Sequence, residues 1–391
     1  MRGAYYPHSA YPVDMTMNPY PVPTWGWEIC ETPWSVQGVW WHYLYSGDKD
    51  FLESRAFPLI KDATLFIVDY MTRPEAHGPQ WGDNKYHVFP TVPPELYGLR
   101  PGFKFNSDCL VDLTLIKFLF KSYLNSVELL GYEKNEKKTI LAVREILDNY
   151  PDYPVEESDE YGKVFVSVSS ESTETVYNVP NSLMTAFPGE DHGLHSEDEI
   201  LEILSNTKNN LQIEGGNELV FQHLQAARIG MLDLEAFKRE IRYNLLPNGT
   251  CSNNTLQIHG RYNDLTDSYY MANMGIWYEN FGLPPVINDC LMQSYHGVIR
   301  LFPNWPENKD EEFKTLRAAG GFLVSSSILD GRVQYLSVFS ENNNGLKLYN
   351  PWDPQIQLNV TKGDSRESTE GDIITIDMKK GESLLIQPIE N

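Results

Sequence analysis

The spacing of apolar residues changes character once along this chain, near residue 310, and that change constrains the fold most strongly. From residue 32 to residue 296, apolar residues recur at intervals of three and four in successive segments, which is typical of amphipathic helices. Beyond residue 310 they alternate with polar residues, and an Asp-Gly pair inside GGFLVSSSILDGRVQYLSVFSE predicts a β-hairpin.

Helical hairpins that follow one another in this way predict a mainly α fold, an (α/α)6-type toroid, followed by a small C-terminal β-sandwich. We count roughly ten helices from the periodicity. The expected domains are a toroid over residues 1–306 and a sandwich over residues 307–391.

The charge of the chain excludes several classes of protein. Its 391 residues include 31 basic and 54 acidic ones, a formal net charge of −23. Nucleic-acid phosphates and anionic membrane surfaces both attract Lys and Arg, so neither is an expected partner. No segment approaches the ~18 apolar residues of a membrane-spanning helix, so we predict no membrane insertion. No signal peptide is visible at the N-terminus, where an apolar stretch is missing.

Cysteine and histidine spacing gives no metal site. The four cysteines form no C-x-x-C pair, and we predict free buried thiols, with a disulfide such as Cys251–Cys290 as the alternative. Asp191, His192 and His195 form an acidic-histidine cluster whose spacing is not diagnostic of a metal. We therefore expect neither a metal nor another cofactor.

Glu95 is the first candidate catalytic residue. It lies in FPTVPPEL, within a loop of about 35 residues, and a loop of that length inside a compact domain is usually functional. A general acid needs a raised pKa, which desolvation by an apolar frame such as Val92, Pro93, Pro94 and Leu96 supplies. A surface glutamate beside a proline turn is the alternative interpretation.

Glu279 and Asn280 are the second candidate pair. The sequence YENFGLPP predicts a turn between a helix that begins at Asp267 and a helix that Pro284 and Pro285 open. A carboxylate and an amide on such a turn suit a catalytic base. The same two residues are also typical of a helix cap and a closing turn.

Three runs of residues, WWHYLYSGDKDFL, FPTVPPEL and the ENFG–CLMQS–GVIRLFPNWP series, resemble motifs of family 95 glycoside hydrolases, the α-L-fucosidases and α-L-galactosidases. The resemblance implies inverting hydrolysis of α-L-fucosyl or related α-L-sugar residues in complex glycans. It implies Glu95 as the general acid. Tyr278 falls on the family's base Asp, and Glu279 is the carboxylate one residue away.

The resemblance also implies an oligosaccharide or polysaccharide as the partner, and six substrate-binding residues. These are Asn280, Asp112, His8, Trp34, His42 and Tyr278. For His42 the alternative is an ordinary packing histidine.

In the family, the loop that residues 3–14 resemble lies well inside the barrel. The resemblance therefore implies the later part of a longer polypeptide, with an upstream segment or another chain completing the toroid. It also implies a periplasmic or secreted location. A non-catalytic or truncated carbohydrate-binding relative is the main alternative. An interaction protein, or a polysaccharide lyase with a Tyr/His pair and a basic residue, are further ones.

Overall fold

A computed structural model describes residues 1–7, 26–213, 220–244 and 278–389, with the backbone alone at 243–244 and 278–281. The helices longer than one turn in these ranges are α1 (Glu31–Ser46), α2 (Phe57–Met71), α3 (Leu110–Leu130), α4 (Glu133–Asp148), α5 (Asp198–Asn210), α6 (Phe221–Arg228), α7 (Leu234–Asn244) and α8 (Tyr278–Leu291). None of the helices described is long and apolar enough to cross a membrane.

The first helical hairpin forms where the sequence predicts it. Helix α1 ends at Gly47, whose φ of 68° is a left-handed conformation that glycine adopts readily. Asp48 then accepts a hydrogen bond from the backbone N–H of Phe51 at 2.9 Å and so caps the next helical turn. That turn continues through a π-helical stretch, Leu52–Ala56, into α2.

Helices α1 to α4 share one apolar core. Leu52, Ile60 and Tyr123 are fully buried in it, and each buried aliphatic side chain of this kind contributes about 1.5–3 kcal/mol relative to exposure. The Tyr123 hydroxyl donates to Glu136 at 2.8 Å, and Lys61 pairs with the same carboxylate at 2.6 Å. The predicted helical pairs therefore pack as hairpins.

Short strands lie between the helices. One hairpin is formed by β1 (Val155–Ser158) and β2 (Gly162–Phe165). Two further small sheets pair β3 (Val176–Tyr177) with β4 (Gln212–Ile213), and β5 (Met292–Gln293) with β6 (Arg300–Leu301).

The C-terminal part is rich in sheet, as predicted. Its strands are β7 (Glu311–Ala318), β8 (Phe322–Leu329), β9 (Arg332–Ser340), β10 (Asn344–Tyr349), β11 (Leu358–Lys362), β12 (Ser365–Thr369), β13 (Ile373–Met378) and β14 (Ser383–Pro388). Six of them form a sheet in the order β12-β11-β14-β9-β8-β7, while β10 pairs with β13. Both sheets contribute to one apolar core. The Asp330–Gly331 turn joins β8 to β9, which confirms the predicted hairpin.

The sheet region contacts the C-terminal end of α1. The backbone N–H of Gly320 donates to the carbonyl of Leu44 at 2.7 Å. Arg317 Nη1 donates to the carbonyl of Tyr45 at 3.2 Å, and Asn342 Nδ2 to that of Ser46 at 2.8 Å. The last carbonyls of a helix have no partner within the helix, so these three groups satisfy them.

The predicted turn at Glu279 and Asn280 is wrong. Both residues lie in the first turn of α8, and Pro284 and Pro285 lie inside that helix instead of opening it. The two prolines occupy exposed positions, while Val286 is buried. The helix therefore accommodates proline on its solvent side. The predicted helix that begins at Asp267 lies outside the described residues.

Candidate active site

Glu95 lies at the exposed end of a turn whose preceding residues are buried and whose next residue, Leu96, is half-buried. Its φ of 55° is in the left-handed region, which is uncommon for a residue other than glycine. The backbone N–H of Thr91, just before the turn, donates to the carbonyl of Asn106 at 2.9 Å. In return, Asn106 Nδ2 donates to the carbonyl of Thr91 at 3.2 Å. The predicted apolar residues Val92, Pro93 and Pro94 are buried, and they support the turn without enclosing the carboxylate.

Two amide side chains from a neighbouring segment hold this turn. Asn178 donates a hydrogen bond from Nδ2 to Glu95 Oε2. Asn181, which is fully buried, donates to the carbonyl of Pro94 at 3.0 Å. The sequence analysis noted neither contact, because the partners are separated by more than 80 residues and no motif spans that distance.

Asp112 lies beneath the Glu95 turn, and its side chain is fully buried. The Thr91 hydroxyl donates to Asp112 Oδ2 at 2.7 Å. Burial raises the pKa of Asp112 well above its usual value, against the lowering effect of the Thr91 hydroxyl and the Cys30 backbone N–H. In this structure Asp112 therefore supports the turn through Thr91 and does not reach solvent, where the resemblance implied a substrate contact.

The N-terminal parts of three helices contact one another. The ring of Trp34, in α1, contacts the ring of Phe221, in α6, edge to face with centroids 5.8 Å apart. Gly282, in α8, lies so close to Val220 that an added Cβ would be 2.5 Å from its methyl carbons. The first turn of α8, which carries Tyr278, Glu279 and Asn280, directly precedes Gly282 in the chain.

Of the two predicted substrate-binding histidines, His42 does not join this group. His42 is exposed and packs against the ring of Phe51, with centroids 4.0 Å apart, eight residues beyond Trp34 on the same helix. Eight residues correspond to about 12 Å along a helix, so the structure favours the packing alternative for His42. His8 lies outside the described residues.

A cavity of about 530 Å³ lies between α1, α6 and α8. Its wall includes Arg228, which is buried and contacts Glu190 at 3.1 Å and Asp289 at 2.5 Å. Burial alone lowers the pKa of Arg228, but the two carboxylates outweigh it and raise that pKa overall. Burial raises the pKa of Asp289, although Arg228 opposes this. The sequence analysis missed this triad, since its members are 38 and 61 residues apart.

The predicted acidic-histidine cluster is an ion-pair cluster. Asp191 pairs with Lys121 at 2.6 Å and Lys117 at 3.2 Å, and accepts a hydrogen bond from Tyr153 at 2.8 Å. These lysines lower the pKa of Asp191 although burial opposes them. Within the described part of the chain, no three His, Cys, Asp or Glu side chains lie together in a group suited to a metal ion. Three of the four cysteines are free and buried, as predicted, while Cys251 lies outside the described residues.

The glycosyl hydrolase family 95 catalytic domain matches residues 1–229 of this sequence. The chain therefore belongs to glycoside hydrolase family 95, as its motifs predicted. Alpha-L-fucosidase 2 of Arabidopsis thaliana is 22% identical to it over 316 residues, which cover 79% of this chain and 35% of that protein. The chain thus spans about a third of the length of this curated relative.

Two solved structures are also similar. The α-L-rhamnosidase from Dictyoglumus thermophilum shares 12% sequence identity with a TM-score of 0.43, over 94% of this chain and 40% of that one. The Streptomyces avermitilis α-L-rhamnosidase, complexed with L-rhamnose, shares 12% identity with a TM-score of 0.41, over 91% and 32% of the two chains.

Proposed function

We propose that this chain carries the acid and base carboxylates of an inverting glycoside hydrolase that removes α-L-fucosyl or related α-L-sugar residues from complex glycans. The observation that carries the proposal is the Glu95 turn, which presents one exposed carboxylate on a buried, hydrogen-bonded support. Membership of family 95 and the relative that is an α-L-fucosidase support the reaction class and the sugar class.

In this mechanism Glu95 donates its proton to the glycosidic oxygen as the bond from that oxygen to the anomeric carbon breaks. A water molecule forms the new bond to the anomeric carbon from the opposite face, and its proton passes to Glu279, with Asn280 orienting the water. Such a single displacement converts the α-anomer to the β-anomer. It requires the two carboxyl groups to lie roughly 6.5–9.5 Å apart in the active protein. Trp34 and Tyr278 would line the sugar site, as the family resemblance implies.

Arg228 argues against the lyase alternative. A polysaccharide lyase needs a cation to neutralise a uronate. Both arginines in the described wall of the cavity are already engaged, Arg228 by Glu190 and Asp289 and Arg317 by Glu341.

We further propose that the helical hairpins belong to an (α/α) toroid that an upstream segment or another chain completes. The support is the cavity between α1, α6 and α8, whose wall combines aromatic residues such as Trp41, Phe187 and Phe221 with the Arg228 triad. A periplasmic or secreted location remains an expectation from the family.

The test is hydrolysis of α-L-fucosides, α-L-galactosides and pectic oligosaccharides by the chain, by Glu95→Gln and by Glu279→Gln. Glu133→Gln, at an exposed position in the first turn of α4, is the matched control. We expect loss of turnover in the first two variants only, and the β-anomer as the first product in proton NMR spectra. Turnover that survives in Glu95→Gln would refute the assigned acid. A folded chain that binds these sugars without turnover would instead make it a carbohydrate-binding relative.

A further inference from the structure

We propose that Asn178 and Asn181 are positioning residues for the general acid: Asn181 fixes the backbone turn and Asn178 holds the carboxyl group of Glu95. The inference rests on the proposed function of Glu95. It assigns a role to a segment, residues 178–181, that contains no carboxylate or other group able to exchange protons near neutral pH.

The backbone conformation of Glu95 needs external support. A non-glycine residue in the left-handed region is strained, and it persists where surrounding contacts fix it. Asn181 supplies such a contact, since its amide donates to the carbonyl of Pro94, the residue directly before Glu95, at 3.0 Å. That donor is fully buried, so water does not compete for the hydrogen bond.

The segment that carries both asparagines is itself fixed to helix α6. Gln225, which is fully buried, donates from Nε2 to the carbonyl of Pro180 at 3.0 Å and to that of Phe187 at 3.1 Å. A continuous series of hydrogen bonds therefore runs from α6 through residues 180 and 181 to the Glu95 turn. The position of the carboxylate is thus set relative to the helices that line the cavity.

Asn178 acts on the carboxylate itself. An amide N–H donates and cannot accept, so the oxygen that receives it, Oε2, is the unfavourable site for a proton. The hydrogen bond therefore fixes the rotation of the carboxyl group relative to the segment that carries Asn178.

The contact between Asn178 and Glu95 predicts a pH signature, in the alkaline limb of the kcat/KM profile, that a merely structural residue would not give. In Asn178→Asp two carboxyl groups share one hydrogen-bonded site. Such a pair retains one proton to higher pH, and we expect the alkaline limb to move up by about one pH unit or more.

The experiment uses the full chain and two α-L-fucosyl substrates, a phenyl glycoside that needs protonation of its leaving group and a glycosyl fluoride that does not. Asn178→Ala should lower kcat on the phenyl glycoside by about 10- to 100-fold, within the range that general acid catalysis contributes, and leave the fluoride nearly unchanged. Asn149→Asp is the matched control, because Asn149 is half-buried and its amide donates to a backbone carbonyl, that of Glu145, at 3.0 Å.

The outcomes separate this inference from the proposed function. If Glu95→Gln retains full activity on the phenyl glycoside, the acid assignment fails, and the positioning role fails with it. If Glu95→Gln is active only on the fluoride, while Asn178→Asp leaves the alkaline limb where it is in the parent, Glu95 stays the acid and the role of Asn178 is overturned.

A second readout needs no turnover. The carboxyl ¹³C resonance of Glu95, identified by its absence in Glu95→Gln, is titrated in the parent chain and in Asn178→Asp. We expect a higher titration midpoint in the variant. Equal midpoints would overturn the inference even if no substrate in the panel is cleaved.

Discussion

Replacing Arg228 with methionine tests whether the buried triad stabilises the fold. The Arg228 side chain is 9% exposed, and those of Glu190 and Asp289 are each 14% exposed. Methionine fills a similar volume but leaves two buried carboxylates without their cation. Breaking a buried ion pair costs about 3–5 kcal/mol, which at ~2 °C per kcal/mol for a chain of this size lowers Tm by about 6–10 °C.

The loss should depend on pH in a defined direction. Burial already raises the pKa of Asp289, and removal of Arg228 raises it further. A carboxyl group whose folded pKa lies above its unfolded value is best tolerated when it is protonated, so the penalty grows as pH rises through the folded pKa. Thermal unfolding of Arg228→Met should therefore show a smaller deficit at pH 5 than at pH 8.

Two further variants make the test decisive. Neutralising both carboxylates in the Arg228→Met background, with Glu190→Gln and Asp289→Asn, should restore more than half of the lost Tm and remove its pH dependence. Lys238→Met breaks an exposed pair with Glu235, in contact at 3.0 Å, and should lower Tm far less than Arg228→Met does, because solvent screens the pair. The reasoning is refuted if Arg228→Met is no worse than Lys238→Met, or if its deficit is equal at both pH values.

Three other predictions concern stability. Because burial raises the pKa of Asp112, the Tm of Asp112→Asn relative to the parent should improve as pH rises from 5 to 9; a constant difference would contradict this. Burial lowers the pKa of His195 to about 4, so the folded state favours the neutral ring. The stability of the parent should therefore fall as pH drops from about 6.5 towards 4, and His195→Gln should flatten that fall in denaturant titrations. An added Cβ at Gly282 would lie 2.5 Å from the Val220 methyl carbons, whereas one at Gly38 meets nothing within 4 Å. In urea unfolding, Gly282→Ala should therefore cost about 1–3 kcal/mol, and Gly38→Ala should stabilise by about 0.5–1 kcal/mol.

Local patterns in the sequence were enough to predict the helical hairpins and the C-terminal hairpin. The Gly47–Asp48 break and the Asp330–Gly331 turn each depend on a few adjacent residues, whose conformational preferences decide the local structure. The same reasoning failed at Pro284 and Pro285. Proline favours a helix start, but α8 carries both on its exposed side and continues through them.

Most contacts within the candidate site could not be predicted from the sequence. The carboxylate at Glu95 could be singled out from its prolines and from the family motif. The amide of Asn178 and the triad of Arg228 could not, because each depends on side chains from distant segments that only the folded chain brings together. For Asp112 the sequence identified the residue, while its complete burial under Thr91 changed the role that the structure supports.

The hydrogen bonds between the sheet region and the end of α1 have a consequence for synthesis on the ribosome. The Ser46 carbonyl accepts its hydrogen bond from Asn342, which is synthesised 296 residues later. At ~5–20 residues per second that interval lasts roughly 15–60 s. During this time the last carbonyls of α1 can be satisfied only by water. A chain released after residue 306 would keep them in that condition, so the proposed division between the two domains does not mark a site for clean truncation.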